Sequence, residues 1–370
     1  MDLHPHDPLR VAVVGAGHLG RIHAKLLNNR TDCSVVAVCD PFAPSRDWIH
    51  ENLNLPVVEH YQHLEGAIDA VVIATPTTLH HEVAKWALQQ GIATFIEKPI
   101  ASNVQQAQEL EGLASLFQAP LQIGHVERFN PVWKAFRDHV APDSIQRIVA
   151  RREGVYTGRS TDIGIVMDLM IHDLDLILSV IPSRIIDIHA TGHCLLGQHE
   201  DIAIADILFE NGAVAHLRAS RVSSSTARCM EVHCKTNPLS QHSNPQPAWF
   251  EIDFASNSLT CVENAPGTGP GGLLADSLSP LERANVKDEL FTRWIHRNTI
   301  TTHPGNAIAS EHDDFFNAIR TGADPIVNAS AGCYALEIAT RITNQISLTQ
   351  AYDQPSVEIY PLKKNSRRAA

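Results

Sequence analysis

Six residues near the start of the chain, Gly15-Ala16-Gly17-His18-Leu19-Gly20, constrain its fold more than any other feature. They follow an apolar run, residues 9–14, and open a stretch of helical period, residues 21–28. In that setting three glycines at this spacing allow a tight turn, a close backbone approach to a pyrophosphate and close packing of helix on strand. The helix N-terminus also offers unpaired N–H groups to the anion. A second strand-like run, residues 34–39, ends in Asp40, twenty residues after Gly20. A carboxylate there accepts hydrogen bonds from both adenosine ribose hydroxyls and repels a 2′-phosphate, so NAD is expected rather than NADP. Arg46 is the nearest basic group that could reverse that preference.

Apolar runs at 9–14, 34–39, 56–58, 70–74, 93–96 and 121–124 alternate with helical periods, as at 79–90 and 103–117. The alternation predicts an α/β fold whose N-terminal part is a Rossmann-type, doubly wound parallel sheet. Ligands bind at the carboxyl ends of such strands, which singles out Thr75 and Pro76 after the fourth run. Glu97-Lys98-Pro99 follows the fifth run and the segment 124–131 the sixth. Beyond residue 141 the texture changes to strand-like segments at 147–153, 185–191, 203–209, 213–220, 229–234 and 249–254, with one helical stretch near 165–180. A C-terminal α+β domain with an open, largely antiparallel sheet is expected. The boundaries are set at 8–128 for a dinucleotide-binding domain and 129–362 for a substrate-binding and oligomerisation domain, with a helix at 330–346 packing back on the first. An open sheet face is most simply covered by a second subunit, so a homodimer or homotetramer is expected. Segments 236–247 and 264–280, polar and rich in proline and glycine, read as loops.

A net charge of −12 argues against nucleic acid or an anionic membrane as partner. The first nine residues carry neither a basic n-region nor an apolar h-region, and a cytoplasmic protein is expected. Seven cysteines without a CxxC pair suggest reduced thiols. Twenty-one histidines invite a metal hypothesis, yet only His189, His193 and Cys194 approach ligand spacing. Residues four apart along a strand are separated by more than a metal's reach, so no metal is expected.

Oxidising a secondary alcohol requires a base for the hydroxyl proton and a cation or donor for the developing alkoxide. His172 and Lys98 suit those roles, and Asp168, four residues before His172, is placed to hold the imidazole from the same helix face. The glycine loop, the Glu97-Lys98-Pro99 triplet and the Asp168 and His172 pair resemble the glucose–fructose oxidoreductase, inositol dehydrogenase and rhizopine-catabolism superfamily (Gfo/Idh/MocA) over nearly the whole chain. The resemblance implies an NAD(P)-dependent dehydrogenase acting on CH–OH, with Lys98, Asp168 and His172 as its chemistry. Lys98 would touch both the substrate hydroxyl and the nicotinamide ribose, and the order in which Lys98 and His172 take the proton stays open. The implied cofactor set is Gly15, Gly17, His18, Leu19, Gly20, Asp40, Thr75, Pro76, His80, Glu97 and Lys98.

The segment 124–131 resembles that of bacterial dehydrogenases oxidising C3 of UDP-N-acetylglucosamine to a 3-keto sugar nucleotide, which a partner aminotransferase converts to a 3-amino sugar for lipid A. That resemblance implies substrate contacts from Glu127, Arg128, Asn130, Arg152, Asp168 and His172. Arg151 and Arg159 are further candidates for a pyrophosphate, and Asn130 before Pro131 also has a structural reason as a helix start. A free sugar or a cyclitol such as inositol remains an alternative substrate. The alternative to catalysis is a nucleotide-binding sensor or co-regulator.

Overall fold

The computed structural model describes residues 7–158, 163–235, 248–265 and 278–352. Six strands form the first sheet: β1 (Leu9–Val14), β2 (Cys33–Cys39), β3 (Val57–Val58), β4 (Ala70–Ile73), β5 (Ala93–Glu97) and β6 (Leu121–Gly124). Their spatial order is β3-β2-β1-β4-β5-β6, with every pairing parallel. Both faces are covered, which is why these strands read as unbroken apolar runs. The crossovers include α1 (His18–Asn28), α2 (Ala43–Leu53), α3 (Thr77–Leu88) and α4 (Val104–Phe117). Val11, Val13, Val72 and Phe95 face one core, and Val14, Val71, Ile73 and Ile96 face the other. The strand order reverses at β1, so the carboxyl ends of β1 and β4 flank the crevice where such sheets take ligands.

The helix α5 (Pro131–His139) begins where the Asn130 side chain accepts from the Val132 N–H, with proline at the first helical position. It leads to β7 (Ile145–Glu153) of an eight-stranded sheet. Next come α6 (Ile171–Val180), β8 (Ile185–His193), β9 (Ile202–Phe209), β10 (Val214–Ser220), β11 (Ala227–Cys234), β12 (Ala248–Asp253) and β13 (Ser258–Asn264). The helix α7 (Pro280–Glu289) and β14 (Ile295–Ile300) follow. The order is β14-β13-β12-β11-β7-β10-β9-β8, and β7 with β10 is its parallel pairing among antiparallel ones. Along β7 to β10 buried residues alternate with less buried ones, so one face packs on the helical layer.

Two late helices join the sheets. In α8 (Ala307–Thr321), Phe315 and Phe316 pack into the same core as Phe95. In α9 (Ala329–Tyr352), Gly332 lets the helix lie against β6, where a Cβ would fall 2.6 Å from Ile123. Further along, Ile346 fills the space over Gly192 of β8.

The sequence reading has no counterpart for β13, β14 and α7. Asn264 closes β13 and Pro280 opens α7, so the loop expected at 264–280 is narrower, and its residues 266–277 lie outside the described residues. The loop expected at 236–247 and Arg159 also lie outside them. Among the described residues no helix is long and apolar enough to cross a membrane.

Candidate active site

The glycine loop folds as its spacing requires. Gly15 has φ +102°, and a Cβ there would meet the Ala74 carbonyl oxygen at 2.5 Å. A Cβ at Gly20 would lie 1.8 Å from the Gly15 oxygen, whereas one at Gly17 would meet nothing. Two glycines therefore bring turn, helix and β4 together, and the third leaves room for a phosphate at the α1 N-terminus. His18 and Leu19 stand exposed in the first turn of that helix. The Asp40 carboxylate accepts from the N–H groups of Ala16 (2.8 Å) and Phe42 (2.9 Å), which hold it at the end of β2 with lone pairs left for ribose hydroxyls. Arg46 donates to the carbonyls of Asp40 (2.7 Å) and Pro41 (2.8 Å). A cleft of about 540 Å³ is lined by Gly15, Gly17, Asp40, Tyr61, Thr75 and Pro76. The buried Thr75 hydroxyl oxygen has no partner there, as expected of a group that meets a ligand. These residues fit NAD.

His80 plays a different part from the contact expected of it. It is buried, and its two ring nitrogens lie 2.9 Å from the carbonyl oxygens of Pro99 and Thr75, so it staples the loops after β4 and β5 from behind. Glu97 is likewise turned into the protein. Its Oε1 is 2.7 Å from His23 Nε2, and His23 Nδ1 is 2.8 Å from His312 Nε2. A carboxylate only accepts, so His23 carries its proton on Nε2, and Nδ1 accepts from His312. Burial and the neighbouring His23 hold the His312 pKa well below its ordinary value, consistent with a neutral His312. The adjacent Glu311 is pushed well above the carboxylate range by burial and then by Glu97.

Lys98 projects from the end of β5 toward the turn before α6. Its Nζ donates to the Asp168 carbonyl oxygen at 2.6 Å and lies 3.8 Å from Asp168 Oδ1. Burial lowers the lysine pKa against the opposing pull of Asp168 and Glu97. The pairing of Asp168 with His172 expected from their spacing does not form. Residues Val166–Met170 adopt a π-helical turn, whose wider winding carries the carboxylate away from the imidazole and toward Lys98. Gly164 permits this turn: the Glu200 carboxylate bonds the Val166 N–H (3.2 Å) across a space that a Cβ at Gly164 would occupy. His172 Nδ1 is thus buried without a partner. Desolvation, and then the charges of Lys98 and Arg152, hold His172 well below its ordinary pKa, so it is a neutral imidazole able to accept a proton.

The arginines expected to meet substrate are committed elsewhere. Arg128 makes two hydrogen bonds to Asp175, at 2.6 and 2.9 Å, with both side chains nearly dry. Arg152 is buried between Glu127 (2.7 Å) and Asp173 (2.8 Å). Guanidiniums already satisfied by buried carboxylates offer little to a diphosphate, and breaking such pairs is costly. Asn130 caps α5 and bonds Glu127 at 2.9 Å. Glu127, Arg128, Asn130 and Arg152 thus each hydrogen-bond other protein groups. Arg151 pairs with Glu153 at 2.8 Å. Sequence reasoning missed Arg228, which lies opposite Arg152 in the β7–β11 pairing and so shares its sheet face. Arg228 is exposed, has no carboxylate partner among the described residues, and its charge reaches His172 and Asp173. Only strand pairing reveals it, because nothing in the local sequence marks it.

The family profile for oxidoreductases with an NAD-binding Rossmann fold (GFO/IDH/MocA) matches residues 9–125, and the profile of that family's C-terminal domain matches residues 123–239. A UDP-N-acetylglucosamine 3-dehydrogenase of Acidithiobacillus ferrooxidans is 31% identical over 90% of this chain and 96% of its own length. An inositol 2-dehydrogenase of Rhizobium meliloti is 25% identical over 92% of this chain and 97% of its own. The solved structure of the Acidithiobacillus ferrooxidans enzyme superposes with a TM-score of 0.77 at 28% identity, covering 92% of this chain and 98% of that one. With the dinucleotide cleft and the eight-stranded sheet both in place, this chain belongs to the GFO/IDH/MocA family of NAD-binding oxidoreductases.

Proposed function

We propose that this protein oxidises a secondary alcohol of a sugar nucleotide, namely C3 of UDP-N-acetylglucosamine, to the ketone. The observation that carries the reading is the nearness of Lys98, just past the end of β5, to a neutral His172 on which its charge acts and whose Nδ1 has no partner among the described residues. Bound NAD supplies the hydride acceptor. The Lys98 ammonium donates to the substrate oxygen and stabilises alkoxide character, while the neutral His172 imidazole takes the hydroxyl proton. Asp168 keeps Lys98 directed at that oxygen through its carbonyl and carboxylate. Arg228, at the open rim of the same sheet face, is the cation for the diphosphate. Assembly as a homodimer or homotetramer, residence in the cytoplasm and delivery of the ketone to an aminotransferase complete the proposal.

One observation favours a second reading. Because Arg128 and Arg152 are neutralised, the pocket floor suits an uncharged polyol such as inositol. Purified protein with NAD is offered UDP-N-acetylglucosamine, UDP-glucose, N-acetylglucosamine and myo-inositol, with reduced nicotinamide followed by absorbance and product by mass. Turnover confined to UDP-N-acetylglucosamine supports the first reading, and turnover of myo-inositol or the free sugar alone replaces it with the second. For the sugar nucleotide, Arg228→Gln should raise KM about tenfold with kcat within twofold, as expected for loss of a charge-assisted contact made equally in ground and transition states. An unchanged KM removes Arg228 from the diphosphate.

A further inference from the structure

One imidazole at the edge of the site has no use in the scheme above. His125 is 1% exposed, and neither of its ring nitrogens has a hydrogen-bond partner among the described residues. A neutral imidazole carries one donor and one acceptor, and burying both unpaired is disfavoured where an apolar ring would fill the same space. Its main chain is settled, since the N–H donates to Ile123 (2.8 Å) and the carbonyl accepts from Arg128 (3.0 Å). Only the ring is without partners.

The sheet places that ring. Glu97 lies opposite Gly124 in the β5–β6 pairing, so Lys98 and His125 leave the sheet side by side at its carboxyl edge. The charges of Lys98, Asp175 and Arg128 reach His125, and His125 in turn acts on His172. The cofactor cleft runs from Asp40, just after β2, past Gly17 to Thr75, just after β4. β6 lies beyond β5 from that cleft, so a group meeting His125 lies past Lys98.

We propose that His125 contacts substrate, exchanging hydrogen bonds with a hydroxyl adjacent to the carbon on which Lys98 and His172 act. A hydroxyl both donates and accepts, matching the two vacant nitrogens, and a sugar or cyclitol ring carries such a neighbour. The inference rests on the polyol-dehydrogenase reading above. A nicotinamide carboxamide offers the same pair of functions, and the experiment separates the two sources.

His125→Phe and His125→Gln are made in the full-length protein. Thermal midpoint, NAD Kd by calorimetry, and KM and kcat for the accepted substrate are then compared with wild type. His125→Phe should leave Tm unchanged or raised, because orphaned polar atoms are removed while ring shape is kept. NAD Kd should stay within twofold, and KM should rise about tenfold. His125→Gln, which keeps a donor and an acceptor, should recover part of the KM; should the phenylalanine variant not fold, a KM unchanged in His125→Gln with lowered Tm overturns the proposal. A lowered Tm with unchanged KM marks a structural imidazole, and a weakened NAD Kd with unchanged KM assigns the ring to the carboxamide; either overturns the proposal. If wild type turns over no sugar or cyclitol, the dehydrogenase reading fails by itself. The His125 contact is then read from UDP-N-acetylglucosamine and myo-inositol binding in the presence of NADH, where equal affinity for wild type and variant overturns it.

Discussion

Lys98→Met is expected to lower kcat about a thousandfold while NAD binding changes by no more than a few fold. The loss is of the size seen when a preorganised donor to a developing oxyanion is removed. The substitution keeps the length and volume of the side chain, so the β5 terminus should hold its conformation. Stability should change little. The Asp168 carbonyl loses a donor, at a cost of about 1 kcal/mol, but an amine whose pKa is lowered mainly by burial no longer has to be desolvated. A kcat within tenfold of wild type, with NAD still bound, would remove Lys98 from the chemistry.

His172→Asn should bind NAD as wild type does and lose turnover by about a hundredfold or more, because an amide cannot accept the hydroxyl proton. The pH profile gives a second check. An acceptor must be unprotonated, so activity is full above the folded pKa of His172 and is lost as pH falls through it. That pKa is held well below 6.5 by burial and by Lys98 and Arg152, so wild-type kcat/KM should persist below pH 6.5 before falling. In His172→Asn that acid limb should be absent. Undiminished turnover, or an acid limb in the wild type at or above pH 6.5, would take the base role from His172.

Much of the first sheet was legible. Its strands are buried on both faces and bounded by glycine, proline or a cap, so β1, β2, β5 and β6 stand within about a residue of the apolar runs that announce them. The second sheet was read in part. Segments that alternate, such as those of β9 and β11, were identified, but β14 carries the sequence Ile-His-Arg-Asn-Thr-Ile and is exposed along its middle. Its strand state comes from pairing with β13, a partner distant in sequence. The helix α7 did carry a local signal, since Ser279 and Glu282 form a capping box, but its lack of buried residues gives no apolar stripe to detect.

The site divides along the same line. Lys98, His172 and the glycine loop could be singled out from sequence because each is tied to local position, a strand end or a helix start. The partners of the arginines were not found, because Arg128 reaches across 47 residues to Asp175 and Arg152 across 21 to Asp173. Spacing misled at Asp168, where four residues would bring it beneath His172 in an α-helix but a π-helical turn does not.

What the sequence by itself determined is therefore the local layer: where many of the strands and helices fall, that Gly15 and Gly20 must be glycine, and that Asp40 stands just past the end of β2. Tertiary structure alone decided which charges stay available to a ligand. Arg128 and Arg152 meet carboxylates of α6, whereas Arg228 pairs with no carboxylate and His125 and His172 keep ring nitrogens without a partner among the described residues. The physical reason is that desolvation and ion pairing depend on what packs within a few ångströms in space, and α6, which shares a core with the second sheet, brings Asp173 and Asp175 to those arginines.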